Sequence, residues 1–375
     1  MVVKSALEVA RETLERLLPG LLDELAGTAA TIAERDQHSL VPVWVRHNGP
    51  RLVAPRDLGG LGASAVEAVQ VHIAIGAVAP ALGAATTMHH LSIATLAVFA
   101  EQATDEERAL IRQLAVDRQV LASGFSEGKP GGSIFRPTMR AAKCENGYLL
   151  TGRKAPCSLA ESMDVLVASV ELESGERAVA LVPASSDNLT VGPFWQATTL
   201  RGAESGSVEL DEVFCPEGLV VESLLEDPDG TSEMIGYQWF GLLILGTYLG
   251  AAYALLDAAL AREGSVDATR VAGMSGFLAA MENALLKLAA EFDAKSVSPD
   301  TAAELLALRE AFDDCVDSLV GRVKTAAGGI AYMRNADIGY LAEVCAVHRF
   351  HPPSMRDSGA NLVAWLRKER EFAFI

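Results

Sequence analysis

The pentapeptide GFSEG at residues 124–128 has the G-x-S-x-G spacing of a nucleophile elbow, which would present Ser126 at a sharp strand-to-helix turn. KPGGSIFRP follows it, and so glycine- and proline-rich a stretch does not open a helix. The chain also lacks the alternating β/α pattern of a hydrolase, so serine hydrolysis is set aside. Histidines come close together only as His89–His90 and as His348 with His351. No group of cysteines, histidines and carboxylates has metal-ligand spacing, and no metal is expected. A lone histidine in a helical region is usually a hydrogen-bonded structural residue. G-x-G-x-x-G and G-x-x-x-x-G-K-[ST] are both missing, which argues against a Rossmann site and a P-loop. A further stretch, AAGGIAYMRNADIGYL at residues 326–341, sets Gly328 and Gly329 after a helix-like run, as where backbone approaches a ligand. Asp337 there also suits a helix N-cap or a first-turn acid. His351, followed by Pro352 and Pro353, also suits the end of a helix.

Three kinds of segment must position these residues. Residues 1–118 read as helices, with apolar side chains at three- and four-residue intervals in LEVARETLERLLPGLLDELAGTAATIAERD and EERALIRQLAVDR. RLVAPRDLGGLGAS interrupts them as a loop. Residues 119–222 hold short β-rich runs separated by Gly, Ser, Asn and Pro, the spacing of a small barrel or sandwich. Residues 223–375 return to helices. Residues 239–256, WFGLLILGTYLGAAYALL, form an uncharged run just long enough to span a bilayer. Acidic flanks and the lack of a second such run favour a central bundle helix surrounded by protein. Gly246, Gly250 and Ala251 in it suit a channel wall or close helix packing.

In this order the motifs resemble the acyl-CoA dehydrogenase superfamily over nearly the whole chain. LVAPRDLGGLGAS resembles its P-x-x-x-GG-x-G loop and SGFSEGKPGGS its TEP-x-x-GS turn. NGYLLTGRKAPCSLAESMDVLVASV and LRGAESGSVELDEVFCPEGLVV resemble two segments of its β domain. GGIAYMRNADIGYL stands where the family has GG-x-GY-x-x-E-x-P-x-x-R. The resemblance implies an α+β fold: an N-terminal α-helical domain, a central β-barrel and a C-terminal four-helix bundle. It implies FAD, with FMN as the alternative, and a homodimer or homotetramer. It assigns Phe125, Ser126, Ser133 and Ser158 to the flavin, with Ser158 reaching N5. Gly328 and Gly329 would approach the flavin of a neighbouring subunit. The departures are Pro156 in place of a Trp, Thr325 in place of a Gln, and no counterpart of R-x-x-F. Asn335 stands where the catalytic glutamate is expected, and an amide cannot remove an α-proton. Phe240 falls at the family's alternative base position. Asp337 is then the nearby carboxylate. The superfamily's flavin monooxygenase branch needs no such base, and its C-terminal histidine corresponds to His351.

The bulk properties set further bounds. With 375 residues, 50% hydrophobic and 21% charged, the chain supports a large core. A net charge of −18 argues against nucleic acid and anionic membranes as partners. Five scattered cysteines read as reduced, mostly buried thiols of a cytoplasmic protein, and the N-terminus has no signal-peptide core. The leading expectation is oxidation of an acyl thioester of CoA or a carrier protein. The alternatives are a two-component monooxygenase served by a flavin reductase, and a flavin-free binding protein.

Overall fold

The computed structural model describes residues 5–27, 34, 39–100, 103–129, 134, 136–221, 231–261, 267–294, 298–353 and 355–374. Ser133 lies outside these described residues. Helices fill the first third, strands run from Leu121 to Val221, and helices resume at Thr231.

The early helices start where their sequences say they should. Ser5, Ser64 and Thr104 each begin a capping box closed by a glutamate three residues on. The helix Ala65–Val78 has a second cap from a distant helix: Asp293 accepts from the N–H groups of Ala65 (2.6 Å) and Val66 (3.1 Å). The helix Pro80–Phe99 begins with Pro at its first turn, where the missing N–H costs nothing. Its free Ala81 and Leu82 N–H groups donate to the buried carboxylate of Glu34 at 3.0 and 2.9 Å. Tyr340, from the helix Ala336–Val347, donates to the same carboxylate at 3.1 Å.

The helix Thr231–Leu260 is the hub. It packs against Ala65–Val78, Pro80–Phe99, Ala268–Asp293, Pro299–Ala327 and Ala336–Val347. Being covered on nearly every side, it is apolar all round, as a central helix must be. The sequence led us to expect one membrane-length apolar helix; there are two. Pro80–Phe99 and Met234–Leu260 both pass by length and composition, and protein buries 72% and 89% of those spans. The second escaped notice because Thr86, Thr87, His89, His90 and Ser92 interrupt its apolar run, yet these are buried and hydrogen-bonded.

Glycine makes the tightest of these helix contacts. A Cβ on Gly76 would stand 2.0 Å from the Thr247 carbonyl oxygen, and one on Gly250 would stand 2.1 Å from that of Ile73. The small residues of the hub helix therefore serve close packing rather than a channel wall.

A hydrogen-bonded histidine group lies where these helices meet. His72 Nε2 is 3.0 Å from His90 Nδ1, and His72 Nδ1 is 3.0 Å from Thr247 Oγ1. His90 and His89 donate from Nε2 to the carbonyls of Gly49 (3.2 Å) and Pro50 (2.9 Å). His89 Nδ1 accepts from the Leu121 N–H at 3.0 Å, tying the helix to the first strand. The sequence reading of His89–His90 as structural therefore fits their geometry.

The eight strands among the described residues are β1 Leu121–Gly124, β2 Arg140–Cys144, β3 Gly147–Cys157, β4 Val165–Leu172, β5 Arg177–Pro183, β6 Leu189–Gly192, β7 Gly206–Pro216 and β8 Val220–Val221. They pair in the order β6-β7-β3-β2-β4-β5-β8, with β1 parallel to β4. β6 and β8 end the sheet without pairing to each other among the described residues, so the expected barrel takes the form of a half-barrel. All five cysteines are free, with Cys157, Cys215 and Cys345 buried and Cys315 exposed.

Candidate functional site

A cavity of about 390 Å³ opens where the helix Pro80–Phe99, the half-barrel and the C-terminal helices meet. Its first wall is one face of Pro80–Phe99: Met88, Leu91, Ser92, Thr95 and Leu96 follow the three- and four-residue steps of a helix. The second wall is the sheet. Ser123 and Phe125 alternate along β1 and beyond it, and Val167 and Ser169 alternate on its neighbour β4. The register Cys157↔Gly206 between β3 and β7 sets the residues just outside those strands face to face. Ser158 Oγ consequently lies 3.0 Å from Ser205 Oγ, and both line the cavity. Tyr237 and Phe240 from the hub helix, with Phe350, His351, Pro352 and Pro353, form the third wall.

The loop bearing Ser126 is held by a buried ion pair beneath it. Glu127 Oε1 is 3.0 Å from Lys154 Nζ, and Lys154 also donates to the cavity-lining Ser169 at 3.2 Å. Burial pushes the Glu127 carboxyl upward, but hydrogen bonds from Thr138 and Lys154 outweigh it and hold the group at about 2. Burial also lowers Lys154. Removing either partner would strand a charge in the interior, which is far costlier than losing the pair. Ser126 accepts the Ala155 N–H at its carbonyl (2.9 Å), and no helix follows it among the described residues, which does not suit a nucleophile elbow.

His351 is the cavity's histidine. Its Nε2 is 2.7 Å from the hydroxyl of Tyr248, a residue of the hub helix that is fully buried. Arg309 donates to the carbonyl oxygens of His351 (3.0 Å) and Pro352 (3.5 Å), and its guanidinium lies 5.2 Å from the Phe240 ring centre. Burial, with the charges of His348 and Arg309 adding to it, holds His351 well below the ordinary histidine range. It is therefore uncharged at neutral pH.

Four sequence-assigned residues thus meet at one cavity: Phe125, Ser126, Ser158 and His351. Asn335, Asp337, Gly328 and Gly329 are not among its lining residues. Asn335 caps the helix Ala336–Val347 by accepting the Asp337 N–H at 3.0 Å, so this asparagine is explained by helix capping rather than by chemistry. Asp337 is a first-turn residue of that helix, where a carboxylate faces the positive end of the dipole. Gly328 ends the preceding helix at φ 83, a backbone conformation that favours glycine. A Cβ on Gly329 would meet nothing within 4 Å in this chain. Phe240, at the alternative base position, lines the cavity as an apolar wall. Sequence reasoning missed Tyr237, Tyr248, Trp195, Ser205 and Arg309. Ser205 carried a signal in the strand register that Ser158 already implied.

The cavity suits a flavin ring. Phe125, Pro156, Trp195, Tyr237 and Phe240 give it an apolar, largely aromatic lining, and Ser126, Ser158 and Ser205 add hydroxyls that can hydrogen-bond a ring. No aspartate or glutamate is among the described lining residues, and Arg177 is the charged side chain among them.

No protein-family model matches the chain. Isobutylamine N-hydroxylase from Streptomyces viridifaciens is 34% identical to it, over 96% of this chain and 97% of that protein. KijD3, solved with FMN and dTDP-3-amino-2,3,6-trideoxy-4-keto-3-methyl-D-glucose, superposes with a TM-score of 0.82 at 20% identity, covering 100% and 97% of the two chains. The FAD complex of PigA superposes with a TM-score of 0.80 at 15% identity over 98% of each chain. The relatives favour the monooxygenase alternative over the acyl-thioester expectation. With isobutylamine N-hydroxylase, the chain belongs to the flavin-dependent monooxygenases of the acyl-CoA dehydrogenase-like fold.

Proposed function

We propose that this enzyme N-hydroxylates a small primary amine, using oxygen and reduced flavin supplied by a separate reductase. The amine, oxygen and reduced flavin give the hydroxylamine, water and oxidised flavin. The observation that carries this reading is the charge of the cavity: among the described residues its lining holds an uncharged histidine, a set of hydroxyls and the cationic Arg177, and no carboxylate. Such a wall does not hold an ammonium ion, because a buried cation needs a paired anion. It admits the free amine, whose lone pair is what attacks oxygen. Among the described lining residues it also offers no carboxylate, the kind of base by which this fold removes the α-proton of an acyl thioester.

The bound flavin supplies the oxygen-activating chemistry. The chain supplies position, dryness and proton handling. Ser158 and Ser205 share one hydrogen between them, leaving a hydroxyl hydrogen free for the cavity. His351 holds a proton on the opposite wall. The apolar side chains of Leu91, Leu96 and Phe240 exclude water, which protects a reactive oxygen species from wasteful decay. At about 390 Å³ the cavity is at the small end for a ligand site, which favours a short aliphatic amine beside the flavin ring. The relatives' own ligands, isobutylamine and an amino sugar, are both amines.

The test uses purified protein, FMN or FAD, a flavin reductase with its nicotinamide donor, and isobutylamine. Hydroxylamine formation that needs oxygen is expected, with rates rising as pH increases the free-amine fraction. Butyryl-CoA should reduce no flavin. Rapid flavin reduction by butyryl-CoA, with no product from any amine, would overturn the proposal.

A further inference from the structure

Two ring nitrogens of His351 have different surroundings. Nε2 faces the Tyr248 hydroxyl at 2.7 Å; Nδ1 has no protein partner among the described residues, and the residue lines the cavity. We propose that Tyr248 is a positioning residue that donates to Nε2 and thereby fixes the proton of neutral His351 on Nδ1, facing the cavity.

The argument runs through the phenol. Tyr248 is fully buried, and Nε2 is the hydrogen-bond partner of its hydroxyl among the described residues. Were His351 to donate from Nε2 instead, the phenolic hydrogen would point into packed protein with no acceptor, an arrangement that folded proteins avoid. The tyrosine donating satisfies both atoms at once. Burial raises the phenol well above its ordinary range, so it keeps its hydrogen. A neutral imidazole that accepts at one nitrogen carries its hydrogen on the other.

The groups around His351 keep it neutral. From the hub helix come Tyr248 and the Phe240 ring, 6.0 Å away. From Pro299–Ala327 comes Arg309, which grips the His351 carbonyl and so fixes the backbone that carries the ring. The same helix gives Asp313, but that carboxylate is taken by His348 Nδ1 at 2.8 Å. The His348 ring centre is 6.4 Å from that of His351. No carboxylate among the described residues touches the His351 ring. The cavity therefore receives a fixed N–H donor rather than a lone pair. Resting on the proposed function, this group would hold an oxygen atom at the reacting centre by donating to it, and would not act there as a base.

The experiment needs neither flavin nor amine. Histidine labelled with 15N is introduced, and two-bond nitrogen–hydrogen couplings report each ring's tautomer at neutral pH. The His351 signals are assigned by their loss in His351→Gln. The expected result is the Nδ1–H form in the unmodified protein, with no protonation in the ordinary histidine range. Tyr248→Phe keeps the volume and removes the donor; it should shift His351 to Nε2–H or to a mixture. An Nε2–H tautomer in the unmodified protein overturns the proposal, even if Tyr248→Phe fails to fold. An unchanged tautomer in a folded Tyr248→Phe also overturns it. Absence of amine hydroxylation would instead count against the proposed function, leaving the tautomer result standing.

Discussion

Acidification should expose the cost of keeping histidines neutral inside this protein. His72, His89 and His90 form one buried group, and burial holds His72 at about 3, His89 at about 4 and His90 also well below 6.5. Unfolding frees each to take a proton below about pH 6.5, so the unfolded state gains and stability falls as pH drops through that window. At about pH 5.5 each contributes roughly 1.4 kcal/mol to unfolding, about 4 kcal/mol for the three. Glu34 works the other way. Burial raises it to about 7, so the folded state binds its proton first. Between about pH 7.5 and pH 5.5 this returns roughly 2 kcal/mol, leaving a net loss of about 2 kcal/mol from these four groups, to which buried His348 and His351 add in the same direction. That is a sizeable share of a typical stability of about 5–15 kcal/mol. Urea unfolding at the two pH values measures it. Glu34→Gln removes the opposing contribution, so its own loss over the same interval should be larger, about 4 kcal/mol. Stability that is flat with pH in both proteins, or that rises on acidification in Glu34→Gln, would refute the reasoning.

Other perturbations probe the packing and the site. Gly250→Ala drives a methyl group into the Ile73 carbonyl at 2.1 Å and should cost about 1–3 kcal/mol or more, read as a lower urea midpoint. Asn335→Glu should create no acyl-CoA oxidation, because the residue caps a helix and is not among the cavity-lining residues; Asn335→Ala should cost about 1 kcal/mol. Ser158→Leu fills the slot edge and should abolish flavin retention in a spectral titration, while the unmodified protein binds FMN or FAD. Ile330 and Met333 are 68% and 77% exposed beside the Gly328–Gly329 turn. Light scattering should therefore give a dimer or tetramer, and a monomer at micromolar concentration would refute that expectation.

The sheet side of the site was legible in the sequence, while on the helical side His351 stood out and the aromatic residues of the hub helix did not, for a physical reason. Phe125, Ser126 and Ser158 sit in segments punctuated by Gly and Pro, where a polar residue stands out. Tyr248 and Phe240 sit in an uncharged run whose every residue reads as core, and most of that run is core. Nothing in the run marks the face that turns to a cavity rather than to another helix. Arg309 lies in a helix with several other charges, and its burial at 4% exposure depends on chain folded far from it in sequence. Asn335 was read as a lost acid because alignment compares positions by role in a family. Its local role as a cap belongs to the helix it begins. The helix–sheet–helix order was legible because it depends on periodicity alone.

The cavity takes one wall from each third of the chain: residues 88–96, residues 123–205 and residues 236–353. On the ribosome, these walls appear in that order, and the last to emerge carries His351. A flavin present during synthesis therefore meets no complete site until nearly all of the cavity's chain has been made. Capture of the cofactor is tied to the finishing of the fold, and an unfinished chain has nowhere to generate reactive oxygen.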